Sequence, residues 1–404
     1  MSKLGHAGRP GDEPRSDCYV TCELRASGGI EIDLASKVAS MFGRKIEAQA
    51  RDVLKHLGLT HARLAIRDGG ALPWTLAARI EAAARAADPA ISGTSLPDPV
   101  AGWDVRTRRD RFRRSRLYLP GNEPKFMTNA GLYGADALIL DLEDSVAPDH
   151  KLAARYLVRN ALRAVDFGGA ERMVRINQGV LGLEDLSCIL PHNVHVVLIP
   201  KVESGEQVAA VDARAREVLG QDHGVLLMPI IESAKGGIFA YEIATASPAV
   251  VALAIGLEDY TADIGTQRTK EGRESFWLRQ QVVNAARAVG VQPIDTVFSD
   301  VADLEGLRES VVEARALGFD GKGCIHPRQI QVIHEAFAPT ATEVDRAVKI
   351  VRAFEAASAK GLAAVSLGSK MIDPPVVKRA QHTVELAVAC NRLPADWKNM
   401  EVLA

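Results

Sequence analysis

From Ser115 to about Ile325, short apolar runs and helical patterns alternate without a break, and this alternation constrains the chain more than any other feature. The strand candidates are 116–119, 137–142, 172–176, 194–200, 225–231, 250–255, 295–298 and 321–325. Helical periodicity fills the gaps, most clearly over 151–164, 208–219, 274–289 and 304–317. Continuous apolar runs such as VLLMPII and VALAI are those of strands covered on both faces, which parallel sheets require. Eight strands alternating with helices predict an α/β chain built as a (β/α)8 TIM barrel, with an open doubly wound sheet as the competing architecture.

The flanks have a different texture. Residues 1–15 are rich in Gly, Pro and charge and read as a flexible N-terminus. Over 16–88, two short strands around a turn at 26–29, a helix over 36–57, a strand at 61–66 and an Ala-rich helix at 76–87 form a small α+β domain. Residues 89–110 carry prolines, glycines and then arginines, the composition of a linker. The barrel is assigned to 111–340. A C-terminal helical extension, 341–404, has helices at 341–360 and 374–389 around a short segment that carries Asp373.

The bulk properties exclude several classes. A net charge of −2 over 404 residues argues against nucleic acid or an anionic membrane surface as partner. No apolar stretch approaches the roughly 20 residues of a membrane helix, and the N-terminus has no apolar core of an export signal. Five cysteines, an odd number, form no disulfide framework, and Cys18 and Cys22 lack a second ligand pair for zinc. The expectation is a cytoplasmic protein with reduced thiols.

In a barrel the chemistry gathers at the C-terminal ends of the strands. Read in order, those ends offer Asn122, then Asp141 with Glu143 and Asp144, then Arg175, Lys201, Glu232, Glu258 with Asp259, Asp300 and His326. Glu258 and Asp300 read as solvated loop charges and His326 as a structural hydrogen-bonder. The remainder is a set of carboxylates with an arginine and a lysine, without a nucleophilic triad or a glycine-rich phosphate loop. Lys201 alone would suit a Schiff-base aldolase. Its companion carboxylates favour a hard cation, Mg²⁺ or Mn²⁺, which takes one or two protein carboxylates and leaves room for substrate. Glu232 and Asp259 match that number, and Arg175 offers a planar fork for a substrate carboxylate.

The motifs RRSRLYLPGN (113–122), YGADALILDLEDSVAP (133–148), VRIN (174–177), LIPKVES (198–204), IIES (230–233), GLEDYTADIGTQRT (256–269), IDTVFSDV (294–301), GFDGKGCIHPRQI (318–330) and SLGSKMIDPP (366–375) together resemble the citrate lyase β subunit, within the HpcH/HpaI aldolase–citrate lyase superfamily of TIM barrels. SDCYV (16–20) and DGGALPWTLAARIEAA (68–83) resemble the acyl carrier, or γ, subunit of citrate lyase. The resemblance implies a carrier fused to a lyase. It implies Glu232 and Asp259 as Mg²⁺ ligands, Arg175 and Glu232 in contact with substrate, and Arg116 and Lys322 near the thioester carrier arm. Asp373, otherwise read as a helix N-cap before Pro374 and Pro375, matches a catalytic carboxylate that reaches a neighbouring subunit's site in related CoA-ester lyases. The resemblance implies Glu143 or Asp144 in a supporting or proton-handling role. The carrier family attaches a phosphoribosyl-dephospho-CoA arm to a serine; here Arg15 falls at that position and Ser16 is one residue off, so Ser16 is the attachment candidate.

Three functions follow. The first is cleavage of a citryl thioester to oxaloacetate and an acetyl thioester, with a separate α (transferase) subunit as a partner and a homo-oligomeric state. The second is the same chemistry on free CoA esters such as malyl-CoA or citramalyl-CoA. The third is a non-catalytic acyl-carrier scaffold, against which the intact Glu232, Asp259 and Arg175 set argues.

Overall fold

The computed structural model describes residues 3–11, 15–359, 365–367 and 370–399. The chain divides into two compact units, Met1–Ile330 and Gln331–Ala404.

The first unit opens with a four-stranded sheet in the order β1-β2-β4-β3, built from β1 (Lys3–Ala7), β2 (Cys18–Leu24), β3 (Ile30–Ser36) and β4 (Ala62–Asp68). Helix α1 (Ala39–His56) joins β3 to β4, and α2 (Pro73–Ala87) follows. The expected strands either side of the 26–29 turn do not form a hairpin. Strand β4 lies between them, antiparallel to β2 and parallel to β3. Part of the expected flexible N-terminus is also ordered: Lys3–Ala7 pairs antiparallel with β2 from Lys3 opposite Leu24 to Ala7 opposite Val20. Glycine permits this at one point. A Cβ on Gly5 would lie 2.2 Å from the Ala83 carbonyl oxygen of α2, so no larger residue fits that approach.

A closed parallel barrel follows, made of β5 (Ser115–Pro120), β6 (Ala137–Asp141), β7 (Glu171–Arg175), β8 (Val196–Ile199), β9 (Leu226–Ile231), β10 (Ala252–Ile255), β11 (Gln292–Asp295) and β12 (Gly321–Cys324). Strand β12 pairs with β5 to close it. Around it run α3 (Pro124–Met127), α4 (Lys151–Ala164), α5 (Gly179–Ile189), α6 (Gly205–Leu219), α7 (Ala234–Ile238), α8 (Ala240–Thr245), α9 (Leu257–Asp263), α10 (Phe276–Val289) and α11 (Leu304–Leu317). The expected barrel is therefore the observed one. Ile139, Met173, Leu198, Met228, Ile230, Ala254 and Ile294 fill its interior and are buried, as the inward residues of a small barrel must. One strand is displaced from its expected place. Pro293 reads as a strand breaker because it lacks an N–H, yet its carbonyl accepts from the Asp320 N–H, so β11 runs through it and ends at Asp295.

The expected linker is not a free tether. Arg106 donates to the His223 carbonyl at 3.2 Å, and Arg109 donates to the carbonyls of Pro248 and Val250 at 2.6 Å each. Thr107 and Arg113 share the buried Glu171 carboxylate at the start of β7. These residues lie where strands enter the barrel, so 106–113 strap its N-terminal face. Helix α2 packs on α4, where Arg159 forks onto Glu81 at 3.0 and 2.7 Å with both side chains almost wholly buried.

The second unit contains α13 (Ala341–Ser358), a hairpin of β13 (Val365–Leu367) and β14 (Lys370–Ile372), and α14 (Pro374–Ala389), with α12 (Arg328–Phe337) crossing the division. Val351, Ile372, Val377, Val384 and Trp397 form its core. No helix among the described residues is long and apolar enough to cross a membrane.

Candidate active site

Parallel strands of a closed barrel end at one rim, so residues just past them converge. A cavity of about 370 Å³ opens there, lined by Arg116, Tyr118, Asp141, Arg175, Glu232 and Asp259 among others. Glu232 directly follows β9, and Asp259 sits in the first turn of α9 after β10. The adjacent strands β9 and β10 pair in register, Ile231 opposite Ile255, which brings both carboxylates to one mouth.

Lys201, two residues past the end of β8, connects them. Its backbone N–H donates to Glu232 Oε1 at 2.7 Å. Its ammonium lies 3.3 Å from Glu143, 3.4 Å from Asp144 and 3.7 Å from Asp259. This residue adopts φ +51°, a left-handed conformation that costs a non-glycine residue energy and clusters at functional sites. Burial lowers the pKa of Lys201, but Glu143, Asp144 and Asp259 outweigh it and hold the ammonium charged. Gly256 packs against the same carboxylate from the β10 side: a Cβ there would lie 2.3 Å from Glu232 Oε2.

Arg175 is less free than its expected role suggests. Its Nε and Nη2 fork onto Asp141 at 2.6 and 2.7 Å, leaving Nη1 at 3.0 Å from Glu143. Its guanidinium stacks over Tyr118, 5.3 Å from the ring centre. Burial would pull its pKa down, but Asp141 more than reverses this. Burial alone would raise the Asp141 pKa, and Arg175 brings it below the ordinary carboxylate value. Glu232 is the opposite case. Burial pushes its carboxyl up to about 8, with Asp259 and Glu143 adding repulsion against the Lys201 hydrogen bond and the Arg175 charge. Glu143 is also raised, first by burial. Buried carboxylates held this close call for a compensating cation.

The donor set fits a hard divalent ion. Among the described residues no three His, Cys, Asp or Glu side chains form a ready cage. Two carboxylates at an open cavity, with oxygen donors only, are what Mg²⁺ takes when substrate and water complete its shell. Glu143 joins this group through Arg175, Lys201 and the Gln178 amide, which donates to it at 2.9 Å.

The remaining expected site residues are placed as follows. Arg116 is almost wholly buried in the barrel interior and lines the floor of the cavity. Lys322 is not at this cavity: it is fully buried, with Nζ 2.6 Å from Asp295, on the wall of a neighbouring cavity lined also by Arg268 and Arg279. The displaced end of β11 explains this, because Asp295 now faces Lys322. Ser16 adopts φ +58° beside the buried Asp17, which Arg79 grips through two hydrogen bonds. That same Arg79 donates to the Asn122 carbonyl just past β5, so the 16–17 segment is tied to the mouth end of the barrel. Asp373 caps α14, accepting from the Val376 N–H at 3.2 Å, in the second unit. His326 accepts from the Arg328 N–H, and the exposed Glu258, read from sequence as a solvated loop charge, pairs with Arg268 at 2.7 Å. Asp141 and Lys201 stand among the polar strand-end residues of the sequence, but that Asp141 takes the Arg175 fork and Lys201 binds Glu232 depends on partners a strand-end pattern does not show, and Tyr118 under the Arg175 guanidinium carries no such signal.

The HpcH/HpaI aldolase/citrate lyase family model matches residues 114–327. The chain belongs to this family. Its alignment with the citrate lyase subunit beta of Leuconostoc mesenteroides subsp. cremoris is 37% identical over 302 residues, covering 72% of this chain and 99% of that protein. With the human mitochondrial citramalyl-CoA lyase it is 35% identical over 292 residues, covering 69% and 86%. A crystal structure of the Mycobacterium tuberculosis protein CitE in complex with magnesium, acetoacetate and coenzyme A superposes with a TM-score of 0.58 at 32% identity, covering 69% of this chain and 99% of that one. The N-terminal domain, residues 10–87, matches the malonate decarboxylase delta subunit model of acyl carrier proteins. The chain is thus a citrate-lyase-beta-like barrel with a carrier-like domain ahead of it.

Proposed function

We propose that this protein is a Mg²⁺-dependent carbon–carbon lyase that cleaves a citryl thioester to oxaloacetate and an acetyl thioester, with Mn²⁺ as an alternative ion. The observation that carries the reading is the convergence of Glu232 and Asp259 from adjacent strands onto one cavity beside Arg175. The identity to citrate lyase beta subunits across nearly their whole length supports it, as does the magnesium in the structural relative.

Glu232 and Asp259 would hold the ion, which when bound supplies Lewis-acid polarisation of the substrate oxygen. Arg175, fixed by Asp141, presents its Nη1 edge to the substrate carboxylate. A carboxylate removes the hydroxyl proton. Asp373 is proposed for this role on its motif, with Glu143 handling protons at the mouth. The carbon–carbon bond then breaks, its electron pair enters the thioester enolate, and protonation of that carbon releases the acetyl thioester. The charged Lys201 ammonium stands at the rim, where negative charge develops.

We propose Ser16 as the attachment point of the thioester arm. Its neighbour Asp17 is linked through Arg79 to Asn122 at the mouth end, which favours delivery to the same chain's barrel. A transferase α subunit and a homo-oligomer belong to the same reading. The relation to citramalyl-CoA lyase keeps a second reading, action on free CoA esters.

The test is steady-state turnover of citryl and citramalyl thioesters with Mg²⁺, with oxaloacetate and pyruvate detected separately. Asp259→Ala should abolish metal-dependent turnover and leave the fold intact; undiminished activity would refute the metal role. Intact mass of a Ser16 peptide separates a carrier-bound substrate from a free CoA ester.

A further inference from the structure

The cavity holds a second arginine whose environment differs from that of Arg175. Arg116 lies on β5 two residues before Tyr118, on the inward face, and its side chain is almost wholly buried. Its Nη1 contacts only the Met228 sulfur, at 3.0 Å, and its buried Nε has no hydrogen-bond partner. Among the described residues no carboxylate pairs with it. A barrel interior otherwise filled with Ile139, Met173, Leu198 and Ile230 is a costly place for an uncompensated cation. Burial depresses its pKa, but the guanidinium remains a cation at neutral pH. The fold could satisfy this position with an apolar residue; a cation there needs another explanation.

The other charges in the cavity are accounted for. The Arg175 fork is occupied by Asp141. Lys201 is shared among Glu143, Asp144 and Asp259. An ion held by Glu232 and Asp259 would engage one end of a keto acid, with the Arg175 Nη1 edge beside it. If the acid carries a second carboxylate, that group reaches into the cavity and needs its own cation.

We propose that Arg116 is the specificity-determining residue of this site, a buried guanidinium at the cavity floor that binds the distal carboxylate of a dicarboxylic keto acid and so selects it over monocarboxylic analogues. This rests on the lyase reading and names its substrate class. A charge-assisted hydrogen bond to a buried guanidinium discriminates on the order of a hundredfold against a ligand without the carboxylate. The selectivity is compounded because the monocarboxylic ligand leaves the cation buried and unmatched.

The experiment measures dissociation constants of oxaloacetate and pyruvate by calorimetry with Mg²⁺ present, for the full chain and for Arg116→Met and Arg116→Lys, alongside turnover of citryl and citramalyl thioesters. Melting temperatures establish that the variants fold; Arg116→Met should melt no lower than the parent because it removes a buried charge. The expected result is about a hundredfold loss of oxaloacetate affinity in Arg116→Met, pyruvate affinity within about threefold, and intermediate behaviour in Arg116→Lys. An unchanged preference for oxaloacetate in a folded Arg116→Met, or an equal loss for both acids, overturns the assignment while the lyase reading stands. A parent protein that binds neither acid overturns both.

Discussion

The carrier-like domain is held on the barrel by a buried ion pair, and breaking that pair tests whether the domain is fixed. Arg159 of α4 forks onto Glu81 of α2 at 3.0 and 2.7 Å, with side-chain exposures of 5% and 0%. Glu81 also accepts from the Ser95 N–H at 3.2 Å and lies 3.1 Å from Arg85. Burial alone would raise its pKa, and Arg159 holds the carboxyl below its ordinary value. Glu81→Ala therefore leaves Arg159 inside the interface without its counter-charge, at a cost of about 3–5 kcal/mol. Replacing both partners with apolar residues, Glu81→Leu with Arg159→Met, removes the two opposed charges together; because Arg85 and the Ser95 N–H still lose Glu81, about 1 kcal/mol of the loss should remain. The assay is urea unfolding of the parent, both single variants and the double variant, with limited proteolysis between residues 88 and 106 as a probe of local release. The single variants should lose about 3 kcal/mol or more and become cleavable, and the double variant should recover most of the loss. A single variant that loses less than about 1 kcal/mol and resists cleavage would refute the argument that this pair locks the domain.

Further outcomes follow from the site. Gly256→Ala places a methyl 2.3 Å from Glu232 Oε2; Mn²⁺ affinity measured by electron paramagnetic resonance should fall about tenfold or more, and unchanged affinity would contradict the role of Glu232. In chelator-treated protein, the raised Glu232 carboxyl favours the folded state fully below pH about 4.5, and this contribution is lost as pH climbs through about 8. The span amounts to a few kcal/mol, and Glu232→Gln should flatten that part of the stability profile in thermal melts. Lys322→Met removes one of the two cations on Asp295, the one at 2.6 Å, and leaves Arg279 at 3.3 Å; it should destabilise by about 2 kcal/mol with KM little altered. A large rise in KM at unchanged stability would restore Lys322 to the substrate path.

Much of the barrel was readable because its signal is local. Runs such as LLMPII and ALAI show their burial by composition alone, and α11 follows its periodicity over Leu304–Leu317. What escaped detection depends on pairing between distant residues. The placement of β4 between β2 and β3 is decided by sheet order, to which a single strand's pattern is blind. The ordering of Lys3–Ala7 depends on Gly5 meeting α2, some eighty residues away. Arginines at 106–113 look like linker charge until the carbonyls they cap, at His223, Pro248 and Val250, come beneath them.

The same distinction governs the site. Glu232 and Asp259 were legible because each follows an apolar run, and a carboxylate at the end of a buried strand must meet a cation or water. Their mutual placement follows from strand adjacency, which a closed parallel barrel enforces. Arginine roles were not legible, because they depend on what else binds the guanidinium. Arg175 and Arg116 are equally basic in sequence, but Asp141 takes the fork of the first and, among the described residues, no carboxylate pairs with the second. A cation already neutralised by a neighbour positions a substrate mainly through its edge. A cation left without a counter-charge in an apolar interior is stabilised by an anionic ligand, so the difference between the two arginines is where substrate choice in this cavity resides.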